Sequence, residues 1–105
     1  MLQGFKAELF KALGHPVRIR ILELLRDQER SVSELQEALE IEMSSVSQQL
    51  AILRGKQLVT GRKEGNSVYY RVIDPQVYDL LDTARAMFQR HVAELQQLAK
   101  QDAER

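Results

Sequence analysis

Uncharged hydrogen-bonding side chains cluster at the start of one helical segment, in the stretch MSSVSQQLAILRGKQLV. Apolar residues recur there at helical spacing, at Val46, Leu50 and Leu53, which predicts that one helix face packs on a core. Serine and glutamine occupy the opposite face, where a solvated helix usually shows charged residues, with Gln49 at the border beside the apolar stripe. Glutamine also matches the N6 and N7 groups of adenine. Taken alone, the stretch fits either a capped, solvated helix or a helix that reads DNA base edges. The candidate base contacts are Ser44, Ser45, Ser47, Gln48 and Gln49.

Positive charge is concentrated in the same region. The whole chain has 15 basic and 15 acidic residues, but residues 43–73 carry five Lys or Arg against one Glu. Residues 1–42 carry six against eight, and residues 74–105 four against six. Because phosphate binding responds to the local patch, a neutral total does not exclude a nucleic-acid partner. The predicted phosphate contacts are Arg54, Lys56, Arg62, Lys63 and Arg71.

The composition limits the classes of protein that the chain can represent. Its 105 residues predict a single domain, residues 1–105, with a modest core. The absence of cysteine excludes disulfides and thiolate metal ligands. No nucleophile elbow, phosphate loop or paired-carboxylate pattern supports an enzyme. Since no signal peptide or membrane-spanning apolar run appears, we expect a cytoplasmic protein without a membrane partner.

The first half of the sequence predicts three helices. Gly14 ends a first helix, and Pro16 suits the first turn of a second helix that is apolar enough to be central. Ser31 and Glu34 have the spacing of a capping box and open a short third helix. A turn is predicted at residues 40–43, before the helix that carries the serines and glutamines.

A fourth helix and a hairpin follow. Ser44 or Ser45 is the predicted N-cap, and Gln48 is placed to complete a capping box from Ser45. Residues 58–64 and 67–73 favour strands on either side of a Gly-Asn turn. The order is thus α-α-α-α-β-β-α, a mainly α fold with a small β-hairpin, which describes a winged helix-turn-helix.

The apolar pattern of the last helical segment predicts contact with a second copy of the chain. Asp74 is the predicted N-cap with Pro75 at the first helical position, and an apolar pattern then runs for about seven turns. So long a stripe exceeds what one small core can cover. We therefore expect a homodimer formed by the first and last helices, through Leu2, Phe5, Leu9, Leu80, Ala84, Met87 and His91.

Taken together, these segments resemble the ArsR/SmtB family of bacterial winged helix-turn-helix repressors over nearly the whole chain. The resemblance implies a homodimer that binds an imperfect palindrome near a promoter and that is released by an inducer, often a metal ion. Two-fold symmetry predicts half-sites ~10 or ~20 bp apart. The matching segments are ALGHPVRIRIL at residues 12–22, SEL at 33–35, SQQLAIL at 47–53, Leu58-Val59 and Tyr69-Tyr70-Arg71.

The chain departs from this family at both of the metal sites that the resemblance implies. Many members carry a Cys-Val-Cys motif at the start of the third helix, where this chain has Ser31-Val32-Ser33, and serine is a poor ligand for soft metals. A second family site joins Asp-x-His of one subunit to His-x-x-Glu of the other. His91 and Glu94 supply the second half, whereas Tyr78 and Leu80 occupy the first. The nearest carboxylates are those of Asp79 and Asp82.

Three hypotheses follow from the sequence. The first is a dimeric DNA-binding repressor without the thiolate metal site and without a cofactor. The second is a metal-responsive repressor that binds zinc or nickel through His91 and Glu94. The third is a winged-helix module that uses the same surface to bind another protein.

Overall fold

The computed structural model describes residues 1–104, and its elements follow the predicted order with one addition. The chain consists of two compact units. The first is Met1–Asp74, and the second begins at Pro75. The first unit contains α1 (Leu2–Leu13), α2 (Pro16–Leu24), β1 (Arg30–Ser31), α3 (Val32–Leu39), α4 (Met43–Gly55), β2 (Val59–Glu64) and β3 (Ser67–Val72). The second contains α5 (Val77–Ala103). The mainly helical winged fold is therefore confirmed, and no helix within residues 1–104 combines the length and hydropathy needed to cross a membrane.

Helix α2 is central to the first unit, as its apolar sequence predicts. It contacts α1, α3 and α4, and its residues Ile21 and Leu22 are fully buried. The core is completed by side chains from α3, α4 and β2 that are also almost wholly buried. These are Leu35, Val46, Leu50, Leu53 and Val59.

The boundary between α1 and α2 is set by local hydrogen bonds. Gly14 ends α1 and donates its N–H to the Lys11 carbonyl. His15 is the N-cap of α2, and its Nδ1 accepts the N–H of Val17 at 3.2 Å. Pro16 occupies the first helical position, where its missing N–H has no intrahelical role. The predicted boundary is confirmed.

Ser31 joins a strand to a helix. Its hydroxyl accepts the Glu34 N–H at 3.2 Å, and the Glu34 carboxylate accepts the Ser31 N–H at 3.1 Å, so the predicted capping box is confirmed. Ser31 also ends β1, which pairs with β3 and places Ser31 opposite Tyr69. The sheet thus has three antiparallel strands in the order β1-β3-β2. The sequence predicted only the hairpin, because a two-residue strand is too short to show alternation.

Replacing Ser31 with alanine is expected to lower the free energy of unfolding by about 1 kcal/mol, because the N–H of Glu34 loses its acceptor. Urea titration followed by circular dichroism measures this loss. The exposed Ser33 lies two residues further along, and its replacement by alanine is the matched control, with an expected change within about 0.5 kcal/mol. Equal losses in the two variants would contradict the capping role.

Two predicted helix starts are wrong. The N-cap of α4 is Glu42, without a side-chain cap, rather than Ser44 or Ser45. The Glu42 carbonyl accepts the N–H groups of Ser45 and Val46, so the helix is already under way at the serines. Likewise α5 begins at Val77. Its N-cap is Gln76, and backbone bonds from residues 78 and 79 to the carbonyls of residues 75 and 76 form a turn where the helix was predicted to begin.

The hairpin of β2 and β3, which we call the wing, has the predicted two-residue turn. Glu64 pairs with Ser67 across it, and Gly65 adopts a φ of +62°. Gly61 lies opposite Tyr70, and a Cβ there would come within 2.9 Å of the Val68 side chain. The absence of a side chain at residue 61 therefore permits the close packing of the two strands.

Candidate nucleic-acid interface

One face of α4 is uncharged, polar and exposed. Ser44, Ser47, Gln48 and Ala51, which we call the reading stripe, follow the i, i+3, i+4, i+7 spacing of one helix face, and all four are exposed. The opposite face is buried in the core through Val46, Leu50 and Leu53, of which the most exposed retains only 1% of its surface. The core therefore fixes the rotation of the helix and leaves the reading stripe in solvent.

The other two predicted reading residues lie at the border between these faces. Ser45 and Gln49 are both half-buried. The Gln49 side-chain oxygen accepts a hydrogen bond from Arg18 Nη1 at 3.0 Å. The sequence did not single out Arg18, because it lies 31 residues from Gln49 and carries no spacing signal of its own.

The two cations at the end of α4 have different surroundings. Arg54 is exposed and has no side-chain partner within residues 1–104. Lys56 donates to a carboxylate oxygen of Glu8 on α1 at 2.6 Å. This hydrogen bond lowers the pKa of Glu8 below its ordinary value. The stabilisation that this pair gives to the folded state is therefore fully present above the unfolded-state pKa of Glu8. It is lost as the pH falls through the lowered pKa of the folded state.

Arg62 is the most constrained cation of the wing. Its guanidinium donates to Glu64 on the same strand and to Glu29 before β1, the latter at 2.8 Å, and lies 5.2 Å from the ring centre of Tyr69. The bonds to Glu64 and Glu29 raise the pKa of Arg62. Two carboxylates therefore compensate its charge in the free protein, and Arg62 links the wing to the segment before β1.

The remaining wing cations are Lys63 and Arg71. Both are exposed, and neither has a side-chain partner in the described part of the chain. Strand alternation and the pairings Lys63 with Val68 and Arg71 with Thr60 place them on opposite faces of the hairpin. The wing therefore presents one free cation on each face.

The charge excess of residues 43–73 is thus only partly available to a partner. Two of the five cations in residues 43–73, Lys56 and Arg62, are paired with carboxylates. Two of the partner carboxylates, those of Glu8 and Glu29, lie outside residues 43–73. The other three of these five cations, Arg54, Lys63 and Arg71, have no side-chain partner among residues 1–104. No carboxylate in the described part of the chain compensates the charge of these three side chains.

The predicted dimer residues are largely exposed apolar side chains. On α1, Leu2 is 59% and Phe5 66% exposed, whereas Leu9 is half-buried. On α5, Leu80 is 37% and Met87 57% exposed, and Ala84 and His91 are exposed. Each unit thus leaves an apolar face that a second chain could cover.

The two candidate metal ligands lie on α5. His91 and Glu94 are one turn apart and exposed. Asp79 lies about 18 Å from His91 along the same helix, given a rise of about 1.5 Å per residue. Within residues 1–104, no group of three or more His, Asp or Glu side chains converges on a metal position. The described part of the chain therefore offers at most two protein ligands at His91 and Glu94.

Known proteins resemble this chain in both sequence and fold. The family model described as "Bacterial regulatory protein, arsR family" matches residues 15–60, which run from the N-cap of α2 into β2. An uncharacterized HTH-type transcriptional regulator of Mycobacterium tuberculosis is 46% identical over 90 residues, which are 85% of this chain and 79% of that protein. The HTH-type transcriptional repressor SmtB of the same species is 46% identical over 67 residues, 64% of this chain and 50% of the repressor.

Two solved structures extend the likeness to three dimensions. The crystal structure of M. tuberculosis Rv0081 has a TM-score of 0.79 at 44% identity and covers 89% of this chain and 94% of its own. The solution structure of a homodimeric winged helix-turn-helix DNA-binding domain from Mycobacterium bovis has a TM-score of 0.78 at 30% identity, with coverages of 89% and 86%. The chain therefore belongs to the arsR family of bacterial regulatory proteins, which are DNA-binding transcriptional regulators and not enzymes.

Proposed function

We propose that this regulator is a homodimeric repressor that acts in the cytoplasm on an imperfectly palindromic operator in double-stranded DNA. The observation that carries the proposal is the exposed, uncharged reading stripe on a helix whose other face is fixed in the core. An α-helix fits the major groove, where serine and glutamine can both donate to and accept from base edges. Ser44, Ser47 and Gln48 are the proposed base contacts on the reading stripe, and Ser45 and Gln49 are the proposed contacts at its border.

The unpaired cations supply the sequence-independent part of binding. Arg54 follows the reading stripe on α4, and Lys63 and Arg71 lie on the wing. Contacts of this kind fix the position of a protein on the duplex without reading its sequence. The wing is therefore proposed to follow the backbone beside the groove that α4 enters.

Dimer formation is supported by the exposed apolar faces of α1 and α5 and by the homodimeric M. bovis relative. Repression is supported by the likeness to SmtB. The test is to select an operator from random DNA and to place it at a reporter promoter. A two-fold-related site with half-sites ~10 or ~20 bp apart, and reduced expression with the protein present, are expected. An asymmetric site would exclude the symmetric dimer, and increased expression would make the protein an activator.

Replacing Lys63 with alanine is expected to weaken binding to operator and unrelated DNA alike, because a phosphate contact is lost. The slope of log affinity against log salt should fall by about one unit. Fluorescence anisotropy at several salt concentrations measures both effects. Lys100→Ala in the last turn of α5 is the matched control and should match the wild type. A Lys63→Ala slope that equals the control slope would remove Lys63 from the interface.

The second candidate function is a metal-responsive repressor, favoured by the exposed pair His91 and Glu94 on one face of α5. One imidazole and one carboxylate per chain form a zinc or nickel site only if a second chain contributes ligands. Calorimetric titration with zinc and nickel, of the wild type and of His91→Ala, tests this. Binding that His91→Ala abolishes would support the metal-responsive repressor. Equal heats in the two proteins would exclude this site.

A further inference from the structure

One arginine links three helices of the first unit. Arg18 of α2 donates through Nε to the Ala12 carbonyl at 2.6 Å and through Nη2 to the Lys11 carbonyl at 3.2 Å, both at the end of α1. Its Nη1 donates to the Gln49 side-chain oxygen at 3.0 Å. The carbonyls at a helix C-terminus carry partial negative charge, so they attract the guanidinium. Three donors in one planar group thus fix Gln49 relative to α1 and α2.

The chemistry of this contact determines which end of the Gln49 amide is free. A guanidinium has donors and no acceptor, so only the amide oxygen can face it. The amide nitrogen of Gln49 has no partner within residues 1–104. Every buried side-chain nitrogen or oxygen in that range has a hydrogen-bond partner. Because the amide nitrogen of the half-buried Gln49 has none, it is not a buried atom. The unpartnered amide nitrogen therefore reaches solvent.

Gln48 and Gln49 consequently differ in what they can offer to DNA. A bidentate contact with adenine needs the amide oxygen and nitrogen side by side at the base edge, as exposed Gln48 allows. Gln49 could make that contact only by leaving Arg18. While it stays bound, it presents N–H donors alone, and guanine is the base whose major-groove edge offers two acceptors, N7 and O6.

We propose that Arg18 is a positioning residue that restricts Gln49 to donor-only recognition, so that Gln49 selects guanine. This inference rests on the proposed function, in which α4 enters the major groove. It assigns different base preferences to two adjacent glutamines.

The test compares the base preferences of variants, selected from random DNA and read by sequencing. Gln49→Ala identifies the operator position that Gln49 reads. There, the wild type should prefer guanine by roughly 5- to 150-fold. Arg18→Leu should accept adenine as well as guanine at that position, because the amide is released. Glu8→Ala breaks the ion pair between α1 and Lys56, which directly follows α4, without touching Gln49, and should keep the wild-type preference.

Gln49→Glu provides an independent test that leaves Arg18 in place. Its carboxylate can still accept from Arg18 but has no donor, so the guanine preference should disappear and cytosine, which presents the N4 donor, should be favoured. Melting curves identify any variant that fails to fold. If Arg18→Leu does not fold, Gln49→Glu decides the matter, and a retained guanine preference would overturn the proposal.

Two other outcomes would also overturn it. An Arg18→Leu profile equal to that of the wild type would show that Arg18 does not position Gln49, and an unchanged Gln49→Ala profile would show that Gln49 reads no base. Failure of the proposed function is a different result, because the wild type itself would then show no base preference at any position.

Discussion

Replacing Gln48 with alanine is expected to weaken binding to the selected operator by about 1–3 kcal/mol, because a bidentate base contact is lost. Binding to unrelated DNA should be unchanged, since Gln48 is uncharged and does not contribute to the electrostatic term. The residue is exposed on α4, so its loss should not unfold the protein. Fluorescence anisotropy with operator and with scrambled duplex measures the two affinities.

Gln28→Ala is the matched control, because Gln28 is an exposed glutamine outside α4 and the wing. It should bind both duplexes like the wild type. Equal operator affinities of Gln48→Ala and Gln28→Ala would remove Gln48 from the reading stripe. A parallel loss on both duplexes would show that Gln48 contributes to general binding and not to recognition.

Replacing Leu53 with alanine is expected to lower the free energy of unfolding by about 2–5 kcal/mol, through lost burial and the cavity that the smaller side chain leaves. Leu53 is fully buried and holds α4 to the core. Since small domains have a total free energy of unfolding of about 5–15 kcal/mol, this loss is a large fraction of the total. Urea denaturation measures the change at a fixed protein concentration, because the stability of the proposed dimer would depend on concentration.

Ile52 offers a control one residue away on the same helix. It is 36% exposed, so Ile52→Ala should cost clearly less than Leu53→Ala. The comparison separates burial from helix propensity, because both substitutions introduce alanine into α4. Similar losses would mean that the depth of burial does not determine the stability of α4.

Local patterns in the sequence predicted much of the fold. The Gly14 stop, the proline at the start of α2 and the Ser31 capping box depend on residues within a few positions of one another. The Gly65-Asn66 turn is equally local. The starts of α4 and α5 were predicted wrongly: α4 begins before the serines, with its first backbone bonds to the Glu42 carbonyl, and α5 begins at Val77 after a backbone turn.

The partners of the polar and charged side chains could not be predicted, because the fold brings them together from distant positions. Lys56 and Glu8 are 48 residues apart, and Arg62 and Glu29 are 33 apart. The sequence shows five cations in residues 43–73 but not which of them are compensated. The orientation of the Gln49 amide depends on Arg18 in the same way.

Recognition of adenine by Gln48 can be tested at the level of single atoms. Each operator adenine is replaced in turn by 7-deazaadenine, which lacks the N7 acceptor, and the affinities of the wild type and Gln48→Ala are measured. We expect one adenine per half-site whose replacement weakens wild-type binding but leaves Gln48→Ala binding unchanged. If the replacement weakened both proteins equally at every adenine, Gln48 would not read that base.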